Sequence, residues 1–412
     1  MRTVSLKTQA HRQENHKNRN HYENAGSAAS AVICHKQIAH HYVAIAVYGV
    51  HIGRDEGSPE ENPVVGCLNS LLHDLDEATG IHSPVQSFDI WEGPSRREIL
   101  DFQRKLCGNL KTLPKSCILP PGTVQRLYEH PQASGGFADV WKGQHGERVV
   151  ALKVLRGQSA EEDSQTFFRE AVIWKRLRHR NIVTFYGIDK QLFRPRQTMV
   201  SAWMSHGTVS NYLYNNPAAD RIKLVLDAAE GLEYLQKEGI VHGDLKGANI
   251  LVDEEHIACL SDFGLAALHY TRKPETESAS IGSTRWTAPE LFDPERFKLE
   301  KAESSPQIDI YALSMVMWEI FTGRVPFYYW RRDATVIHHV VQGKRPLRPV
   351  QATPLGLSDA IWALMQSCWE SDGQQRPHID DVVGQLRGEL MERPGDHVHH
   401  TPQEWPLNVS SY

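Results

Sequence analysis

Residues 241–252, Val-His-Gly-Asp-Leu-Lys-Gly-Ala-Asn-Ile-Leu-Val, decide how the 412-residue chain is read, because an acid, an amine and an amide interrupt an otherwise apolar run. Asp244, Lys246 and Asn249 are spaced so that one short loop between two hydrophobic strands aims all three side chains at a single point. Transfer of a phosphoryl group to a hydroxyl needs such a set. A carboxylate accepts the hydroxyl proton, an ammonium neutralises the moving group, and an amide oxygen holds a metal ion. The plainer reading is a polar loop that merely contains Asp and Asn, and it loses ground downstream. Ser261-Asp262-Phe263-Gly264 follows a short hairpin later, and Ala288-Pro289-Glu290 closes the same segment.

Upstream, short β-branched and aromatic runs surround the small residues Ala133-Ser134-Gly135-Gly136-Phe137-Ala138-Asp139-Val140, and Val150-Ala151-Leu152-Lys153 comes next. Small residues let backbone N–H groups approach phosphates, while a lysine one strand later reaches them from below. A Gly-rich turn alone is usually an ordinary hairpin; joined to the lysine it gains weight.

In this order the motifs resemble those of the eukaryotic protein kinase family, and within it the tyrosine-kinase-like group of Ser/Thr kinases. The resemblance implies a two-lobed α+β fold, a small antiparallel β-sheet lobe with one main helix above a large, mainly helical lobe, with ATP and Mg²⁺ in the cleft. It implies catalytic roles for Asp244 and Lys246 and magnesium ligation by Asn249 and Asp262. ATP contacts are implied at Ala133, Gly135, Gly136, Val140, Ala151, Lys153, Glu170, Ser201, Trp203, Met204 and Leu251. Among these Glu170 is the ion-pair partner of Lys153, Ser201 the gatekeeper beside the adenine, and residues 202–204 the hinge. Ser283 is implied as the hydroxyl that bonds Asp244 and Lys246. The structural set is His242 and Phe263 stacked with Trp174, Asp309 bracing the catalytic loop, and Glu290 paired with Arg376.

The chain also departs from the family pattern. Ala133 and Ala138 replace the first and third loop glycines, which predicts weakened rather than abolished nucleotide binding if φ stays negative. Gly243 stands where many kinases carry an arginine that pairs with an activation-segment phosphate, so activity is expected without phosphorylation of that segment. Lys246 and Ser283 look like Ser/Thr kinases, whereas Trp286 and Cys368-Trp369 resemble tyrosine kinases, so dual specificity stays open. Thr208 and Ala248 stand where kinases preferring basic substrates carry acids, and give no support for that preference. The rival class is a pseudokinase, a nucleotide-binding scaffold. The two missing glycines favour it; the intact set of Lys153, Glu170, Asp244, Lys246, Asn249 and Asp262 disfavours it.

Composition sets the remaining bounds. With 40% hydrophobic and 23% charged residues the chain has a soluble globular balance, and a net charge of −5 argues against nucleic acid or an anionic membrane as partner. Six scattered cysteines without a Cys-x-x-Cys pair point to a reducing compartment and against a zinc module. The polar start lacks the apolar core of a signal peptide, and the longest apolar run, residues 42–52, is shorter than the ~20 residues that span a bilayer. The cytoplasm is the expected location, with protein substrates and ATP as partners.

Residues 1–90 read as a poorly ordered region. Residues 7–24 bury almost nothing, and Cys34, His35, His40 and His41 lack tetrahedral ligand spacing. Residues 91–123 read as an amphipathic helix and linker, with a capping box at Ser95 and Glu98 and a stripe of Ile99, Phe102, Leu106 and Leu110 packing on the following domain. Residues 124–391 form the kinase domain. Its helices are expected over 159–177, 219–239, 308–322 and 378–391, and further strands over 181–188 and 197–204. Residues 392–412 read as a disordered tail. A third reading makes residues 1–115 the functional module and the kinase domain its regulator, but that region carries no motif, and whether it binds a protein partner stays open.

Overall fold

The computed structural model describes residues 113–134, 138–156, 162–262, 283–302, 304–392 and 400–409, together with Cys107. The small lobe is a six-stranded antiparallel sheet. Its strands are β1 (Val124–Arg126), β2 (Ala133–Ser134), β3 (Ala138–His145), β4 (Arg148–Leu155), β5 (Phe185–Asp189) and β6 (Thr198–Ala202), in the order β1-β3-β4-β6-β5 with β2 on β3. Strand β4 shows why it forms: Val150, Leu152 and Val154 are fully buried on one face, so the period of two sends Ala151 and Lys153 to the other. Helix α1 (Glu162–Trp174) buries Phe167, Phe168, Ala171 and Trp174, and the Trp174 indole stacks on Phe185 with centroids 4.9 Å apart. The helix stops three residues short of the expected end at Leu177, because the chain leaves it in a tight turn from Trp174 to Leu177, while residues 159–161 lie outside the described residues.

The segment before β1 joins this sheet. Leu119 donates its N–H to the Ile188 carbonyl (2.9 Å), and Ile118 bridges Ile188 in parallel. Gly187, at φ 155°, permits the approach, since a Cβ there would lie 2.8 Å from the Cys117 carbonyl. Most of the expected 95–110 helix lies outside the described residues, but Cys107 is helical and fully buried.

The large lobe is built on helices. It contains α2 (Val209–Asn215), α3 (Arg221–Lys237), the β7–β8 hairpin (Ile250–Val252, Ala258–Leu260), α4 (Pro289–Phe292), α5 (Pro306–Thr322), α6 (Asp333–Val341), α7 (Asp359–Cys368) and α8 (Ile379–Met391). Asp220 caps α3 by accepting from the amides of Ile222 (3.0 Å) and Lys223 (3.2 Å). Helix α5 is buried on every side from Ile308 to Thr322, and stops at Gly323 in the left-handed region, φ 70°. This is the expected two-lobed α+β arrangement.

One expectation is corrected. The sequence predicts a disordered tail over residues 392–412, yet residues 400–409 lie against the large lobe, with Leu407 and Val409 only 4% and 5% exposed. Average composition hides the reason: among prolines and histidines stand Trp405, Leu407 and Val409, enough apolar surface to hold a short segment. Among the described residues no helix is long and apolar enough to cross a membrane; Cys107, Cys117, Cys259 and Cys368 are buried, and Cys259 and Cys368 are free thiols.

Candidate active site

The loop that opened the reading leaves α3 at Gly239 and returns as β7. Its first residues are fixed from below by α5: Asp309 accepts from the amides of His242 (2.7 Å) and Gly243 (2.8 Å). Burial pushes the Asp309 carboxyl up to about 7, against the pull of those two donors. Gly243 sits at φ 73°, a conformation that favours glycine. His242 is fully buried and its imidazole is pushed down to about 4 by that burial, so it is neutral at pH 7. A structural role suits it better than proton transfer.

The three chemical side chains meet as expected. The Lys246 ammonium donates to Asp244 Oδ2 (2.8 Å) and Oδ1 (3.1 Å) and to Ser283 Oγ (2.7 Å). Asn249 donates through Nδ2 to the Asp244 carbonyl (2.7 Å) and to Oδ2 (3.0 Å), which turns its Oδ1 oxygen away from Asp244. The β7–β8 pairing sets Ile250 opposite Leu260, and Ser261 Oγ and N–H both donate to the Asn249 carbonyl (3.0 and 2.9 Å). Asp262 is thereby delivered beside Asn249. Its φ of 55° is left-handed, the kind of local strain that clusters at working sites.

Lys153 reaches the same place from the small lobe. Its Nζ lies 2.5 Å from Asp262 Oδ1 and 3.8 Å from Glu170 Oε1, so the first is a charge-assisted hydrogen bond and the second a Coulombic contact. Burial opposes the lysine charge, but the two carboxylates outweigh it and hold its pKa above the usual lysine range. Burial works against the Asp262 charge too, and the Lys153 cation overcomes it, leaving that carboxyl below its usual range. For Glu170 burial wins, and its carboxyl is pushed upward.

Around the expected adenine position, Ser201 is buried and pairs in register with Ala151, and Val140 pairs with Lys153. The hinge amide of Ala202 donates to Thr184 (2.8 Å), and the Trp203 ring lies 5.0 Å from Lys142 Nζ. The Trp203 amide donates to the Val149 carbonyl (3.4 Å). Met204 is buried beside it, and Leu251 lies in β7. Ala133 and Ala138 both lie in extended strand, where a methyl group is accommodated. Gly135, Gly136 and Phe263 lie outside the described residues.

Glu290 and Arg376 form a buried bidentate pair at 2.6 and 2.8 Å. A residue the motif reading missed is Glu319 of α5. Its carboxylate accepts from the Gly247 amide (3.0 Å), Trp286 Nε1 (2.9 Å) and Ser210 Oγ (3.2 Å), tying the catalytic loop, the substrate loop and α2 together. A Cβ at Gly247 would overlap that carboxylate, which explains the glycine. The sequence carries one signal for it, a charge in a helix apolar on every side, which must be partnered, but nothing in the spacing names the partners.

Comparison with known proteins agrees with this geometry. The sequence profile of protein tyrosine and serine/threonine kinases matches residues 129–386. The serine/threonine-protein kinase STY46 of Arabidopsis thaliana is 30% identical over 276 residues, covering 65% of this chain and 45% of that protein. The serine/threonine/tyrosine-protein kinase HT1 of the same plant is 28% identical over 264 residues, 62% of this chain and 64% of HT1. The megakaryocyte-associated tyrosine-protein kinase of Rattus norvegicus is 29% identical over 262 residues, 62% and 51% of the two chains. The matched region thus spans less than half of STY46 and under two thirds of HT1. With the profile covering more than half of its residues, the chain belongs to the protein tyrosine and serine/threonine kinase family.

Proposed function

We propose that the chain transfers the γ-phosphoryl group of ATP to serine and threonine hydroxyls of protein substrates. The observation that carries this reading is the Lys246 ammonium shared between Asp244 (2.8 Å) and Ser283 (2.7 Å), a fixed cation beside a carboxylate. An acceptor hydroxyl bound there donates its proton to Asp244, and Lys246 faces the charge carried by the moving group. Lys153, kept charged by Asp262 and Glu170, steadies the remaining phosphates, and the hinge backbone around Met204 takes the base. The donor set fits a magnesium ion. Asp262 offers a carboxylate and Asn249 an amide oxygen turned away from Asp244, and hard oxygens suit that cation. When bound there, the ion supplies positive charge to the phosphate oxygens. Lys246 and Ser283 support serine and threonine as acceptors, and the free buried thiols of Cys259 and Cys368 support a reducing compartment such as the cytoplasm. The kinase domain is assigned to residues 124–391.

The scaffold reading is favoured by one observation, the alanines at 133 and 138, and the same assay decides between the two. The full chain is given γ-labelled ATP, Mg²⁺ and a generic protein substrate, followed by phosphoamino-acid analysis. Label on serine and threonine supports the proposal. Label on tyrosine as well makes the chain dual-specific. ATP binding without label overturns the proposal in favour of the scaffold.

A further inference from the structure

Residues 400–409 lie beyond the matched kinase region and beyond α8, yet main-chain groups of Pro406, Leu407, Asn408 and Val409 are hydrogen-bonded by the large lobe. The Trp405 ring lies 4.6 Å from the guanidinium of Arg221, a residue only 1% exposed in the first turn of α3. Arg221 is itself aimed by the carbonyls of Ala219 (3.0 Å) and Pro217 (2.8 Å). Trp405 and Pro406 together cover Gly323. A Cβ at that glycine would come within 2.7 Å of the indole and 3.0 Å of the proline ring, so any side chain there would displace the segment.

The main chain is read residue by residue. The Leu407 amide donates to the Thr322 carbonyl (2.9 Å), one of the acceptors that α5 leaves over at its C-terminus. The Leu407 carbonyl accepts from Arg324 Nε (3.2 Å), and the Asn408 carbonyl from Gln351 Nε2 (3.2 Å). The Tyr328 hydroxyl donates to the Val409 carbonyl. Leu407 and Val409, two apart, are the buried side chains. Main-chain pairing combined with alternate apolar anchors is how domains recognise extended peptides.

We propose that this surface is a peptide-docking groove separate from the catalytic cleft, and that residues 405–409 are its resident ligand, bound in cis. Its recognition elements are a cation–π seat for a tryptophan, a glycine floor, and apolar seats for Leu407 and Val409. The groove joins the start of α3, whose other end leads into the catalytic loop, to the end of α5, which braces that loop through Asp309 and Glu319.

Amide hydrogen exchange in the full chain tests this without any variant. The proposal expects the Leu407 amide to exchange at least roughly 100-fold more slowly than in a free peptide of residues 400–409, as a closed native hydrogen bond does. Exchange at the free-peptide rate overturns it. Protection that appears only as protein concentration rises would seat the tail of a second copy in the groove, and overturns the cis assignment. In the full chain carrying Trp405→Ala, protection at Leu407 is expected to vanish while amides in the middle of α3 and α5 keep theirs. The peptide of residues 400–409, added in trans to that variant, is expected to bind saturably, and the same peptide with W405A not to bind. Failure of the native peptide to bind would make the segment ordinary packing rather than a recognised ligand.

Discussion

Ser283 and Asp244 share one ammonium, and the account gives them unequal work. In the proposed mechanism Asp244 is the base and Ser283 only steadies Lys246, so Ser283→Ala removes one hydrogen bond to a charged group. That costs roughly 10- to 100-fold in kcat, with the KM for ATP unchanged; steady-state kinetics with ATP and substrate varied separately checks both numbers. An equal rise in the KM for ATP would mean that Ser283 acts on the nucleotide site instead. Gly243 supports a second prediction. With no arginine beside Asp244 to receive an activation-segment phosphate, replacing Thr276, Ser278 and Ser280 together by alanine leaves most of the activity in place. Near-complete loss in the same assay would refute the inference from Gly243. A third concerns the buried Glu290–Arg376 pair. Arg376→Met strands a buried carboxylate and should lower stability by about 3–5 kcal/mol, read as a lower urea midpoint. All of these residues were legible in the sequence, because phosphoryl transfer and its supports demand particular functional groups at short, ordered spacings.

At the scale of elements, α5 is the platform on which the active site is levelled. Asp309 near one end holds the start of the catalytic loop, and Glu319 near the other holds its middle and the substrate loop. Burial pushes the Glu319 carboxyl from 4.5 up to about 7, so between those pH values the folded chain holds a proton that the unfolded chain has lost. The group's contribution is fully present below about pH 4.5 and falls away as pH rises through 7, a loss of about 3 kcal/mol at most. Glu319→Gln is expected to flatten this part of the stability profile, measured by urea unfolding at pH 5 and pH 8. An unchanged slope would show that Glu319 does not titrate in that window. The elements themselves were largely readable, since α3 carries its cap and its apolar stripe in sequence, and Gly323 ends α5 where expected. Glu319 escaped because its three donors come from three separate segments, and no local spacing announces such a convergence. The docked segment of the tail escaped because its partners, Arg221, Thr322 and Arg324, are distant in sequence.

The whole molecule brings a lysine from a strand of the small lobe to an aspartate at the end of a hairpin in the large one. Lys153 lies closer to Asp262 than to Glu170, so the charges proposed to hold ATP and Mg²⁺ already span the two lobes. A nucleotide that binds only the folded chain stabilises it by about 2.7 kcal/mol at a hundred times its Kd. ATP with Mg²⁺ is therefore expected to raise the melting temperature, and Asp262→Asn to remove most of that increase. An equal increase in the variant would take Asp262 out of the metal site. The measurement that bears most directly on the central claim compares the native chain with Asp244→Asn, following nucleotide binding and γ-phosphoryl transfer on the same preparations. The account predicts unchanged ATP affinity and a fall in transfer of about 10²- to 10⁴-fold, the span of a lost general base. Transfer that survives the substitution undiminished would contradict the assignment of Asp244, and with it the mechanism built on this loop.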